Sequence, residues 1–141
     1  MWAERGREIS TPGEERRLRP SMSKTLLVVD DSRFSRTTIR MFVQDQRPDW
    51  RILEAPSAEA AMEVAGAEEV DLFSVDFNMP GADGLTFAKA MRAIRPDAPI
   101  VLLTANVQAS IQEASDALGV HCVHKPVTQA SIQKMLEHFS C

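Results

Sequence analysis

Leu72-Phe73-Ser74-Val75-Asp76, read beside Leu26-Leu27-Val28-Val29-Asp30-Asp31, decides the fold. Each stretch is a short apolar run that ends in acid. Such runs read as strands buried on both faces, the kind found in parallel sheets. Their terminal carboxylates then emerge at the carboxyl edge, where open α/β sheets bind ligands. Two unit charges about 4 Å apart repel by about 4 kcal/mol at an effective dielectric of 20, so converging acids call for a cation. A donor set made of oxygen alone favours Mg²⁺.

Outward from these two runs, strand and helix patterns alternate. Further strands are expected at Arg51 to Ala55, Ile100 to Leu103 and Val120 to Val123, with the first opening at Thr25. Ser35, Thr38, Ile39, Phe42 and Val43 share one face of a first helix, and Ile132, Met135, Leu136 and Phe139 one face of the last. These stripes belong to the core. Ser57 and Thr128 are placed as N-caps, and Arg95-Pro96 and Gly119 end the third and fourth helices. Asp30 and Asp31 also suit the start of the first helix, where an acid complements the dipole, so capping and metal binding are both open to them. The fourth helix, Gln108 to Leu118, has little beyond Ile111, Ala114 and Leu118 to bury and should dock least firmly. Alternation of this kind implies right-handed crossovers and an α/β fold.

Composition narrows the function classes. A length of 141 residues suits one compact domain. The net charge is -4, and no basic stripe is interleaved with aromatics, so nucleic acid is not an expected partner. No apolar run is long enough to cross a bilayer, which excludes membrane insertion and points to a cytoplasmic protein. Cys122 and Cys141 supply no disulfide framework. Residues 1–23 hold five Arg and four Glu with two Pro and two Gly, and show no hydrophobic periodicity. They read as an extension outside the core: a solvated, disordered tail, an expression remnant or an upstream start near Met22. The domain itself is expected at 24–141.

Four motifs now stand in order at the ends of strands one, three, four and five. They are Asp30-Asp31, the run Asp76-Phe77-Asn78-Met79-Pro80-Gly81-Ala82-Asp83-Gly84, Thr104-Ala105 and Lys125-Pro126. Together they resemble the receiver domain of two-component response regulators. The resemblance implies a flavodoxin-like (βα)5 fold, a doubly wound five-stranded parallel sheet of order 2-1-3-4-5. It implies that Asp76 accepts a phosphoryl group from a phosphohistidine protein, with Mg²⁺ required. Asp31 and Asp76 would ligate the metal through carboxylates, Asn78 through its backbone carbonyl and Asp30 through water. Lys125 would pair with the phosphoryl oxygens, and a cis Lys125-Pro126 bond would aim its amine. Thr104 would donate its hydroxyl to the new phosphoryl group. By the same resemblance, Asn78 and Asn106 would flank the path of the hydrolytic water and tune dephosphorylation.

One position departs from the pattern. Most receivers place an aromatic switch three residues before the lysine, and this chain has Cys122. Threonine movement cannot be coupled there to an aromatic rotamer, so the helix 4, strand 5 and helix 5 face would switch differently. Asp83-Gly84 reads as a turn, with Pro80 and Gly81 shaping the loop after Asp76. His121 and His124 around Cys122 offer soft ligands, but strand alternation splits them between faces, and a closed zinc site lacks donors.

The expected function is a single-domain response regulator in a phosphorelay, not a turnover enzyme. Its expected partners are a sensor histidine kinase or histidine phosphotransfer protein and a downstream protein effector. A pseudo-receiver that binds partners without phosphorylation is the alternative. A phosphohydrolase is disfavoured, because Asn78 leaves the Asp-x-Asp pattern of haloacid-dehalogenase-like phosphatases incomplete.

Overall fold

The computed structural model describes residues 23–105 and 108–139. Its elements run β1 (Thr25–Val29), α1 (Arg33–Gln46), β2 (Arg51–Ala55), α2 (Ala58–Ala67), β3 (Leu72–Asp76), α3 (Gly84–Ile94), β4 (Ile100–Thr104), α4 (Ala109–Ala117), β5 (His121–His124) and α5 (Gln129–Phe139). The five strands form one parallel sheet of order β2-β1-β3-β4-β5. The flavodoxin-like order that the resemblance implied is therefore the order found.

Alternation along the central strands fills both faces of this sheet. Leu27, Val29, Phe73, Val75, Ile100 and Leu102 pack with Ala61, Phe87, Ala88 and Met91 of α2 and α3. Leu26, Val28, Leu72, Val101 and Leu103 pack on the other side with Ile39, Val43, Ile132, Met135, Leu136 and Phe139 of α1 and α5. Every residue of β1, β3 and β4 is buried. Each fully buried Leu or Ile contributes about 1.5–3 kcal/mol relative to an exposed one, so these three strands anchor the domain.

The helix boundaries follow local chemistry. Ser57 caps α2 by accepting from the Ala60 N–H, and Thr128 accepts from the Ser131 N–H at the start of α5. The end of α4 is a Schellman closure. Gly119, at φ +69°, donates to the Asp116 carbonyl, and Val120 donates to that of Ser115. α1 is capped by Ser32, whose side chain accepts from Ser35 N–H. The acids before it thus do not cap, because the chain is still leaving the sheet at Asp30 and Asp31. Asp83 is more than a turn residue: its carboxylate accepts from Thr86 N–H and caps α3. β5 begins at His121, one residue later than expected, since Val120 is occupied in closing α4.

α4 is the weakly apolar helix it was expected to be. Ser115 is its one buried residue, and Ile111, Ala114 and Leu118 are half-buried. Its C-terminal end is held by polar contacts instead. Arg92 of α3 donates to the carbonyls of Leu118 and Gly119, and to that of Ala98 before β4. Among the described residues no helix is long and apolar enough to cross a membrane.

Candidate functional site

Parallel pairing lines up the ends of the strands on one edge. Val29 pairs with Val75 and Asp76 with Leu103, so Asp30, Asp76 and Thr104 follow one another across β1, β3 and β4. Thr104 pairs with His124, and the Lys125 N–H donates to the Thr104 carbonyl, which places the lysine at the same edge beyond β5. The Lys125-Pro126 peptide bond is cis, as the resemblance implied.

Three carboxylates meet at this edge. Asp30, Asp31 and Asp76 each offer an oxygen, all within 4.8 Å of one another. Asp30 and Asp76 are buried, whereas Asp31 is exposed and opens the cluster to solvent. Lys125 Nζ lies 2.6 Å from Asp76 Oδ1. That contact is an ion pair without directed hydrogen-bond geometry, and Oδ1 has no hydrogen-bond partner. Oδ2 of Asp30 is likewise buried and unpartnered, while its Oδ1 accepts from the Ser32 N–H.

One lysine does not neutralise three acids. Burial pushes the Asp30 carboxyl above its ordinary value. The Ser32 N–H and Lys125 oppose that shift, and the charges of Asp76 and Asp31 add to it. A buried anion short of partners is costly, so the unpartnered Asp30 Oδ2, and an Asp76 Oδ1 held by Lys125 alone, fit a small divalent cation beside the solvent opening. The donors are all hard oxygens, which suits Mg²⁺ rather than a thiophilic metal.

The loop after Asp76 is built to bring α3 against the backbone of Asp76 and Phe77. The Gly84 N–H donates to the Phe77 carbonyl at 2.8 Å. A Cβ on Gly84 would stand 2.9 Å from Phe77 Cα and also clash with the Asp76 carbonyl oxygen. Gly81 turns the chain at φ +89°, a region open to glycine. Asn78 is exposed in this loop and Met79 is buried in the core below it.

The remaining expected residues are distributed differently. Cys122 lies two residues before the end of β5, half-buried, and its thiol donates to Ser115 Oγ at 3.2 Å. The cysteine therefore joins β5 to α4 and takes no part in the acidic cluster. His121 stacks on His138 of α5 with ring centroids 4.1 Å apart, on the opposite face of the sheet from Cys122. Asn106 lies outside the described residues. Thr104 is buried at its strand end.

Some residues at the site carried no sequence signal. Arg36 donates from Nη1 to the Asp30 carbonyl at 2.6 Å and from Nε to Glu54 Oε1 at 3.0 Å. Isolated charges on a helix and a strand read as solvated until the tertiary fold brings them together. Ser32 and Asp83 were findable, since each stands three residues before the N–H that it caps.

Known proteins resemble this chain in sequence and fold. The family model of the response regulator receiver domain matches residues 26–137. Among curated relatives, the cyclic di-GMP phosphodiesterase response regulator RpfG of Xanthomonas campestris is 33% identical over 97 residues, covering 67% of this chain and 26% of that protein. A protein-glutamate methylesterase/protein-glutamine glutaminase of Thiobacillus denitrificans is 33% identical over 122 residues, covering 83% of this chain and 33% of that protein. The chain thus spans a third or less of the length of these curated relatives. Of solved structures, Vibrio cholerae chemotaxis protein CheY4 superimposes with a TM-score of 0.74 at 26% identity, covering 82% of this chain and 97% of that one. Response regulator TrrA of Thermotoga maritima, solved in complex with Mg²⁺ and a beryllium fluoride, gives 0.71 at 29% identity, covering 81% and 96%. With the family model matched across all five strands and the acidic edge, the chain belongs to the response regulator receiver domain family.

Proposed function

We propose that this chain is a phosphorylation switch in which Asp76 is the phosphoacceptor. The observation that carries the reading is the Lys125–Asp76 ion pair inside a cluster of three carboxylates. A carboxylate oxygen of Asp76 attacks the phosphorus of a phosphohistidine on a kinase or phosphotransfer protein. The new O–P bond makes an acyl phosphate, the P–N bond breaks, and the imidazole leaves with its electron pair. Phosphoryl transfer asks a protein mainly for positioning and charge neutralisation.

Asp31 and Asp76 would hold Mg²⁺ through their carboxylates, Asn78 would add its backbone carbonyl, and Asp30 would act through a water. When bound, Mg²⁺ neutralises charge developing on the phosphoryl oxygens. Lys125 releases Asp76 Oδ1 and takes a phosphoryl oxygen, and Thr104 donates its hydroxyl to another. Asn78 and Asn106 tune hydrolysis of the acyl phosphate, since an amide can orient water but cannot act as its base. Output passes to a protein effector through α4, β5 and α5, with Cys122 in place of an aromatic lever.

Intact-mass analysis after incubation with acetyl phosphate and Mg²⁺ tests this. One phosphoryl group on the wild-type protein and none on Asp76→Asn supports the reading. Wild-type protein that never gains the mass overturns it and favours a pseudo-receiver.

A further inference from the structure

Asp30 is held on three sides. Its N–H donates to the Ala55 carbonyl at 3.1 Å, its Oδ1 accepts from the Ser32 N–H at 2.9 Å, and its carbonyl accepts from Arg36 Nη1 at 2.6 Å. The third contact matters most for the acidic edge. The Asp30 carbonyl lies in the planar peptide that joins Asp30 to Asp31, so one bond to it orients the backbone of both acids. It is also charge-assisted, and such bonds are about twice as strong as neutral ones.

Arg36 is itself fixed from behind. Its Nε donates to Glu54 Oε1 at 3.0 Å, and the second oxygen of Glu54 accepts from Arg40 Nε at 2.7 Å. Arg40 is tied in turn to the Ile52 carbonyl at 3.1 Å. Burial of Glu54 raises its pKa, but hydrogen bonds and charge from Arg40 and Arg36 outweigh that and lower it overall, so the carboxylate stays charged. Arg36 is well covered, with 14% of its side chain exposed. The chain of contacts runs from β2 through α1 to the peptide between Asp30 and Asp31.

We propose that Arg36 is a positioning residue for the acidic cluster and that Glu54 and Arg40 buttress it, so that this network sets the affinity of the site for Mg²⁺. The proposal rests on the reading of Asp30, Asp31 and Asp76 as the Mg²⁺ site. A fork is needed because Arg36 reaches the carboxylate of Glu54 and the carbonyl of Asp30 with different nitrogens. Lysine gathers its three N–H donors on one nitrogen at the end of a flexible stem, and so lacks the rigid fork that holds two acceptors from separate nitrogens.

The test is a titration of the full chain with Mg²⁺ alone, followed by calorimetry, at a temperature well below the melting point of each variant. Arg36→Ala is expected to raise the Mg²⁺ dissociation constant about tenfold, the low end for loss of an outer-sphere partner. Arg36→Lys should behave like Arg36→Ala, and Glu54→Gln should shift binding in the same direction by less. Labelling by acetyl phosphate should show the same split, with a raised Mg²⁺ half-saturation and a rate that recovers at saturating Mg²⁺. Arg51→Ala, at the start of the strand that carries Glu54, breaks the exposed pair with Glu68 at the end of α2; it serves as the control and should leave Mg²⁺ binding unchanged.

Reduced melting temperature with unchanged Mg²⁺ binding overturns the proposal and leaves the network a helix tether. Wild-type affinity in Arg36→Lys also overturns it, since charge alone would then suffice. If Arg36→Ala fails to fold, Arg36→Lys and Glu54→Gln decide. Wild-type protein that binds Mg²⁺ but is never labelled defeats the proposed function and leaves this inference standing on the calorimetry, whereas wild-type protein that binds no Mg²⁺ defeats both.

Discussion

Gly84 and Phe77 approach so closely that the N–H of one donates to the carbonyl of the other at 2.8 Å, with no room for a side chain between α3 and the end of β3. Backbone atoms, which cannot swing aside, form the obstacle. The start of α3 is thereby pinned to the peptide that follows Asp76. Gly84→Ala should therefore destabilise the protein by about 1–3 kcal/mol, the usual cost of overpacking, and slow the labelling of Asp76. Urea denaturation checks the first effect, and a midpoint equal to wild type would refute it.

Lys125 is the one cation paired with Asp76 among the described residues, at 2.6 Å. Removing one partner of a buried pair costs about 3–5 kcal/mol, but a quarter of the Lys125 side chain is exposed, so the loss should be nearer ~2 kcal/mol. Lys125→Ala should thus lower the melting temperature of metal-free protein, and Mg²⁺ should restore more stability to this variant than to wild type. Equal gains from Mg²⁺ in the two proteins would count against a shared electrostatic role.

Asp30 makes stability depend on pH with a definite sign. Burial raises its folded-state pKa above the ordinary 3.8, so the folded state binds the proton more tightly than the unfolded chain. Its contribution to stability is therefore present at low pH and lost as pH rises through the window from 3.8 to the raised value. Glu54, whose pKa is lowered, acts in the opposite sense and loses its contribution as pH falls. Comparing melting temperature against pH for wild type and Asp30→Asn isolates the first term. The wild-type protein should lose stability relative to the variant as pH rises, and saturating Mg²⁺ should shrink that difference.

Cys122 and Ser115 add a polar tie between α4 and β5, where the apolar side chains of α4 are only half-buried. Ser115→Ala leaves the Cys122 thiol without this partner, and because a thiol is a weak donor the loss should sit at the low end of the hydrogen-bond range, about 0.5 kcal/mol. Hydrogen exchange read by mass spectrometry should show faster exchange in α4 with little change in β1 and β3. A uniform increase across the chain would mean that the contact supports the whole fold and not this helix.

The fold was legible because its main determinants are local. Apolar runs followed by acids at Asp30 and Asp76 mark strand ends, and the stripes Ile39, Val43 and Ile132, Met135, Leu136 mark inward helix faces. What the sequence left open or misplaced lies where neighbouring residues serve two elements. Val120 closes α4 before β5 can begin, and Ser32 caps α1 after the acids have served the sheet edge.

The order of motifs in the chain was enough to determine an α/β alternation and to single out Asp30, Asp31, Asp76, Thr104 and Lys125 as candidates for one edge. Only the tertiary structure decided which charges meet. Lys125 pairs with Asp76 across an intervening strand, Arg36 reaches back to the Asp30 carbonyl, and Cys122 bonds to Ser115. The physical reason is one of range. Hydrophobic period and capping act within a few residues and leave their mark on the sequence, whereas an ion pair or a directed hydrogen bond exists only after packing has closed the distance between remote segments.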